Sequence, residues 1–451
     1  MHKILLLLRR NLKKSFDNIR NERLKNNLLQ AIPFWIGSVI TGFFAIFYAK
    51  VFAWGEMLLE FILHWHDWMI FIVAPIGFVL SWWLVKTFAP NAKGSGIPQV
   101  MASVELANPK EHGKIKSLLS IKILIIKIIS SVVLVIGGGA VGREGPTIQI
   151  AGSIFRTVNN HLPDWWPKIS KKNMIMTGAA AGLAAAFNTP LGGIVFAVEE
   201  LSKTHINYFK TALFTAVIIA GLTAQTLAGS YLYLAYPKTM DVSLMVMFPI
   251  ILVAGICGIL ASQLSVIMLK ITAWKKKTLK TDRAHVVFLV ISALIIASIA
   301  YFISREILGS GKELMERVLL SDNKSESWYV PLLRMLGPAL SFTSGGAGGI
   351  FAPALSAGAS IGAVISGAIH LSENETNVVI LCGMVAFLTG ITRAPFTSAI
   401  IVLEMTDRHS LIFHLMLAGM ISSIISILVS RHSLYDALKV NFLAEARSKE
   451  D

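Results

Sequence analysis

GAAAGLAAAFNTPLGGIVFAVEEL, residues 178–201, and GMVAFLTGITRAPFTSAIIVLEMT, residues 383–406, decide the fold of this 451-residue chain. A shift of 205 residues lays Gly178 on Gly383, Leu183 on Leu388, Pro190 on Pro395 and Glu199 on Glu404. Each stretch reads as a helix of small residues, a break at proline, and a second helix ending in an acid. Matches among Gly, Ala and Leu are common in apolar chains; aligned prolines and glutamates are not. The chain is expected to hold two related halves, about 31–235 and 236–440, packed as one domain.

Composition says where those halves reside. Hydrophobic residues make up 54% of the chain and charged residues 15%, against roughly 25% charged in a soluble domain. Ala31–Val51, Leu118–Gly139, Leu213–Leu232, Val242–Leu269, Val286–Ile303 and Leu411–Val429 are apolar stretches of the length that crosses a bilayer, about 20 residues. A soluble protein is excluded. The net charge of +15 is concentrated in two places. Lys3, Arg9, Arg10, Lys13, Lys14, Arg20, Arg23 and Lys25 face only Asp17 and Glu22, and a second cluster holds Lys275, Lys276, Lys277, Lys280 and Arg283. Both flank apolar spans, where positive charge marks the cytoplasmic side and contact with anionic lipid rather than nucleic acid.

Residues 1–30 are thus expected to be a cytoplasmic basic segment and 441–451 a short cytoplasmic tail. Ile4–Leu8 is too short for the core of a signal peptide and meets Arg9 and Arg10 directly. Cys257 and Cys382 lie in separate apolar segments and point to neither a disulfide nor a metal. His64 and His66, in FILHWHDW, read as an interfacial loop. Residues 51–85 contain Glu56, Glu60 and Asp67 but no Lys or Arg, and so read as external; the matching region of the second half is the Lys275–Arg283 cluster, which reads as internal. Equivalent loops on opposite sides imply inverted halves around a midplane site. The expected fold class is an all-α membrane protein, a polytopic inverted-repeat bundle with broken and re-entrant helices.

Three short motifs share one grammar: Gly94-Ser95-Gly96-Ile97-Pro98, Gly142-Arg143-Glu144-Gly145-Pro146 and Gly348-Gly349-Ile350-Phe351-Ala352-Pro353. Glycine permits an irregular backbone, and proline then opens a helix in its first turn. A helix start offers unpaired N–H groups and a partial positive charge. Three starts converging at mid-membrane would hold an anion. Glu144 beside them would compete with that anion and release the site on protonation; its alternative is a pair with Arg143. Ser95 reads as an anion donor or a helix cap, and Tyr435 as a second donor or an interfacial aromatic. Glu199 and Glu200 end an apolar segment, either to carry protons or as a helix-end pair at the cytoplasmic interface. Lys127, inside the apolar run 122–136, either raises the local positive potential or snorkels to an interface.

GSGIP, GREGP and GGIFAP in this order, with GAAAGLAAAFNTPLGGIVFAVEE, VLEMTD and Ser433-Leu434-Tyr435, make the chain similar to the CLC chloride channels and transporters over residues 30 to 440. The resemblance implies a multi-pass cell-membrane protein, a homodimer with one ion pathway per subunit, and exchange of chloride for protons. It implies a central anion site of Ser95, Tyr435 and the backbone N–H groups of Ile350 and Phe351. Glu144 is then the external gate and proton acceptor, and Glu200 the internal proton-transfer acid with Glu199 beside it. An acid at position 200 favours exchange over the alternative, a passive chloride channel on the same fold. Gln99 stands where many family members have an acid, and the short tail after Tyr435 is that of a bacterial-type member without regulatory domains. No cofactor or metal is implied. An intramembrane hydrolase using Ser95 would need a base within reach, and no histidine or lysine forms such a motif. A cation antiporter would want acids at its centre. The chain is expected to be a transporter and not an enzyme.

Overall fold

The computed structural model describes residues 13, 14, 16–18, 20–202, 210–229, 232–239, 244–322 and 324–448. Lys3, Arg9 and Arg10 of the basic segment lie outside them, as do Ser230, Tyr231 and Val242 of the expected spans. Among the described residues, seventeen α-helices follow one another and no sheet forms.

The first half runs α1 (Glu22–Trp65), α2 (Ile70–Phe88), α3 (Ile97–Glu105), α4 (Ile121–Ile136), α5 (Glu144–Asn160), α6 (Lys171–Phe187), α7 (Pro190–Phe196) and α8 (Lys210–Ala228). The second runs α9 (Met247–Thr278), α10 (Asp282–Phe302), α11 (Lys312–Leu320), α12 (Val330–Thr343), α13 (Phe351–Ala368), α14 (Glu373–Thr392), α15 (Pro395–Thr406) and α16 (Ile412–Val429), and α17 (Leu434–Arg447) closes the chain. The order of long and short helices is the same in both halves. Among the described residues nine helical stretches are long and apolar enough to cross a membrane. This is a multi-pass membrane protein.

The helices overrun the apolar stretches that mark them. α1 begins at Glu22, capped by the Asn21 side chain accepting from Leu24 N at 3.0 Å, and continues through Pro33 to Trp65. Its 44 residues span about 66 Å at 1.5 Å per residue, twice a hydrocarbon core of about 30 Å. Part of the basic N-terminal segment is therefore helix, and His64 lies in its last turn rather than in a loop. Trp65, His66 and Trp68 stack there at 6.0 and 6.2 Å. α9 likewise carries Lys275, Lys276 and Lys277 into its last turn. Lysine is a good helix former, and positive charge is favoured at a helix C-terminus.

α13 and α14 form the centre. In α14 every residue from Thr376 to Thr392 is buried, although Ser372 and Glu375 give it a reciprocal capping box at its start. The two helices touch backbone to backbone: a Cβ on Gly358 would lie 2.2 Å from Gly383 O. Any side chain there would force the pair apart.

Candidate functional site

The three glycine motifs meet. Gly94 N donates to Gly346 O at 2.8 Å and Gly348 N to Gly94 O at 3.1 Å. Gly142 and Gly349 exchange both backbone bonds, at 2.8 and 2.7 Å. Two isolated bridges thus tie the starts of α3, α5 and α13 together. Gly96 has φ 106°, a left-handed conformation closed to most residues, and it turns the chain into α3.

Lys127 settles into this junction. Its side chain is fully buried, and Nζ donates to Ala92 O at 2.8 Å and Gly94 O at 2.7 Å. It does not snorkel; it pins the loop that carries Ser95. Gln99 holds the same loop from the other side, donating to Asn91 O and Lys93 O.

Ser95 and Tyr435 are brought together. Both hydroxyls are buried, close enough to act on each other, yet neither makes a hydrogen bond among the described residues. Gly145 permits the approach of α5, since a Cβ there would sit 2.1 Å from Ser95 Oγ. Phe351 stacks on Tyr435 with ring centroids 6.4 Å apart, and Ile350 caps α13 beside it. Two unpaired buried hydroxyls facing helix starts make a cradle of donors, the chemistry of a small anion.

Glu144 is the first residue of α5 and is buried. Its Oε1 accepts from the Tyr233 hydroxyl at 3.1 Å, and Oε2 has no partner among the described residues. The carboxylate folds back over Gly142, where a Cβ would stand 2.4 Å from Oε2. Tyr233 packs edge-on against Phe187 at 5.2 Å, and Phe187 reaches Phe351 at 6.1 Å. A run of four rings thus connects Glu144 to Tyr435. The sequence reading missed both: Tyr233 belongs to no motif, and Phe187, although inside the repeated stretch 178–201, carries no polar group to single it out.

Glu199 and Glu200 lie in a wide turn, Ala197–Leu201, that follows α7. Both oxygens of Glu199 are engaged at the start of α15, accepting from Phe396 N at 3.2 Å, Thr397 N at 2.7 Å and Thr397 Oγ1 at 2.6 Å. Glu404 does the converse, accepting from Leu191 N at 3.0 Å and Gly192 N at 2.7 Å at the start of α7. Glu200 is half-buried and near enough for its charge to act on Tyr435.

A cavity of about 460 Å³ opens onto Ser95 and Gln99. Lys86, Lys93, Lys275 and Lys276 line it, and its one acid, Glu445, is held by Lys93 at 2.9 Å. Lys275 is buried and donates to Thr343 O and Ser344 O. A residue read from the sequence as a topology marker therefore forms a wall of an electropositive approach to Ser95. Arg334 is another buried cation that the sequence reading passed over. It donates to Ser356 Oγ and to the carbonyls of Glu306, Leu308 and Gly309, fastening α12 to α13. Among the described residues no cluster of three or more metal-ligating side chains occurs.

A helical membrane bundle whose buried centre is made of interrupted helix starts and unpaired donors defines a class, the polytopic ion transporters and channels. Residues 77–427 match the family described as voltage gated chloride channel, and the chain belongs to that family, the CLC proteins. It is 27% identical over 430 residues to the H(+)/Cl(-) exchange transporter ClcA of Citrobacter koseri, covering 91% of this chain and 88% of that one. The same identity holds over 455 residues with ClcA of Salmonella schwarzengrund, covering 96% and 93%. Among solved structures, a slow cyanobacterial Cl-/H+ antiporter superposes with a TM-score of 0.79 at 24% identity, over 94% of this chain and 99% of that one. A CLC-type fluoride/proton antiporter gives 0.75 at 18% identity, over 92% and 98%.

Proposed function

We propose that this protein exchanges chloride for protons across the cell membrane. The observation that carries the reading is the pair of unpaired, buried hydroxyls of Ser95 and Tyr435 at the junction of α3 and α13, with the unpaired oxygen of Glu144 on the neighbouring helix start. Chloride occupies the cradle of Ser95, Tyr435 and the Ile350 and Phe351 N–H groups. A helix start and hydroxyl donors hold it without a full countercharge. Glu144 competes for the same positive field as a carboxylate and withdraws when protonated, so anion release and proton uptake are linked. Glu200 passes protons to and from the cytoplasm. Glu199, beside it, holds the turn in place through its bonds to α15. The naming of the ClcA relatives as exchange transporters supports this reading over a passive channel.

The protein works as a homodimer with one pathway per subunit, its two halves inverted within one transmembrane domain of about 31–440 and both termini cytoplasmic. No cofactor or resident metal takes part. The test uses purified protein in liposomes with an outward chloride gradient, voltage fixed by potassium and valinomycin, and external pH recorded. Chloride efflux that drives protons inward against their gradient, lost in Glu200→Gln while chloride flux persists, is the expected result. Chloride flux without proton movement in the unmodified protein would make it a channel.

A further inference from the structure

We infer that Tyr233, on the segment joining the two halves, is a positioning residue that holds Glu144 in the anion pathway. The inference rests on the gate role proposed for Glu144.

The joining segment is fastened across the top of the site by the second half. Leu234 N donates to Met405 O at 3.1 Å, Arg408 Nε to Pro237 O at 2.7 Å, and Asn377 Nδ2 to Lys238 O at 2.8 Å. Arg408 also lies over the Tyr236 ring at 5.8 Å. Fixed at these points, residues 233–238 bury Tyr233, Leu234 and Pro237, and of these Tyr233 is the one that reaches Glu144. Its ring is clamped edge-on by Phe187 and overlain by Lys312 Nζ at 5.2 Å. The hydroxyl then has one acceptor, Glu144 Oε1.

A buried donor bonded to a carboxylate favours the charged form and fixes where it sits. Charged, Glu144 occupies the pathway; protonated, it loses most of the reason to keep this bond. Tyr233 therefore raises the hold of the closed state. The other charges acting here are Arg143 at the start of α5 and Glu56 on α1, together with Lys312 on α11.

Tyr233→Phe keeps the ring packing and removes the donor. Chloride turnover is expected to rise at neutral pH, and the pH of half-maximal turnover to move upward by about one unit, the size of a hydrogen bond to a charged group. Incorporating 3-fluorotyrosine at position 233 gives a stronger donor of nearly the same shape, and moves the profile downward. In a Glu144→Gln background neither change has an effect on the profile. Tyr233→Phe with an unmoved profile would overturn the inference, as would an equal shift in the Glu144→Gln background. If Glu144→Gln itself left chloride flux and proton coupling intact, the gate reading would fall and take this inference with it.

Discussion

The ends of α7 and α15 are built to one plan and finished differently. Each short helix opens with proline, and a glutamate near or just beyond its end is lent to the other's start: Glu199 to Phe396 and Thr397, Glu404 to Leu191 and Gly192. The four N–H groups are related by the same 205-residue shift that aligns the halves. Carboxylates at helix starts satisfy orphan donors and complement the helix dipole. The difference comes one residue later. Glu199 lies within the wide turn Ala197–Leu201 and is followed by a second acid, Glu200; Glu404 lies within α15 and is followed by Met405, which is fully buried. The shared acid is scaffold, and the additional acid, which has no counterpart in the second half, is the one to which the proposed function gives the proton.

Four predictions break or sharpen that contrast. Glu200→Gln abolishes coupled proton movement while chloride flux persists, measured as proton and chloride flux in liposomes. Removing both clamps in Glu199→Ala/Glu404→Ala costs about 4 kcal/mol of stability, taking about 2 kcal/mol for each bonded carboxylate, and the protein is recovered in reduced yield by size-exclusion chromatography. Singly, Glu199→Gln lowers the inactivation midpoint more than Glu404→Gln, since Glu199 accepts three bonds and Glu404 two. Equal losses would mean that the Thr397 hydroxyl contributes nothing.

The smallest effect comes from a carboxylate held by side-chain donors instead of a helix start and set near solvent. Arg447 Nε donates to Glu111 Oε1 at 2.7 Å, and Asn108 adds a bond. Arg447 first, then Asn108, hold the Glu111 carboxyl down to about 2 from its usual 4.5. Its folded value is depressed, so its contribution is complete above about pH 4.5 and fades as pH falls toward about 2. The difference in inactivation midpoint between Glu111→Gln and the parent is small at pH 7 and narrows further at pH 3.

Much of this was legible in the sequence, because glycine and proline punctuate locally. The three helix starts, with Ser95 and Glu144 on them, follow from residues within a few positions of one another, and the repeat from two such stretches laid on each other. The overrun of α1 and α9 was not, since lysine and glutamate continue a helix as readily as they end an apolar run. Nor was the reciprocal clamp: a glutamate and the N–H groups it caps lie some two hundred residues apart, and no periodicity records their meeting. Tyr233 escaped for a similar reason. It stands in a joining segment whose course is set by Met405, Arg408 and Asn377, all contributed from far along the chain.

The bridges between Gly94 and Ala347 and between Gly142 and Gly349 also govern how the molecule comes into being. The loop bearing Ser95 leaves the ribosome early, but the strand-like partners that fix it arrive only with the second half, on the order of tens of seconds later at ordinary rates of synthesis. Throughout that interval the first half stands in the bilayer with its glycine loops unpaired, dependent on the insertion machinery for shelter. On the proposed function, anion recognition is thus among the last properties the nascent protein acquires, and a chain halted before Gly349 inherits none of it.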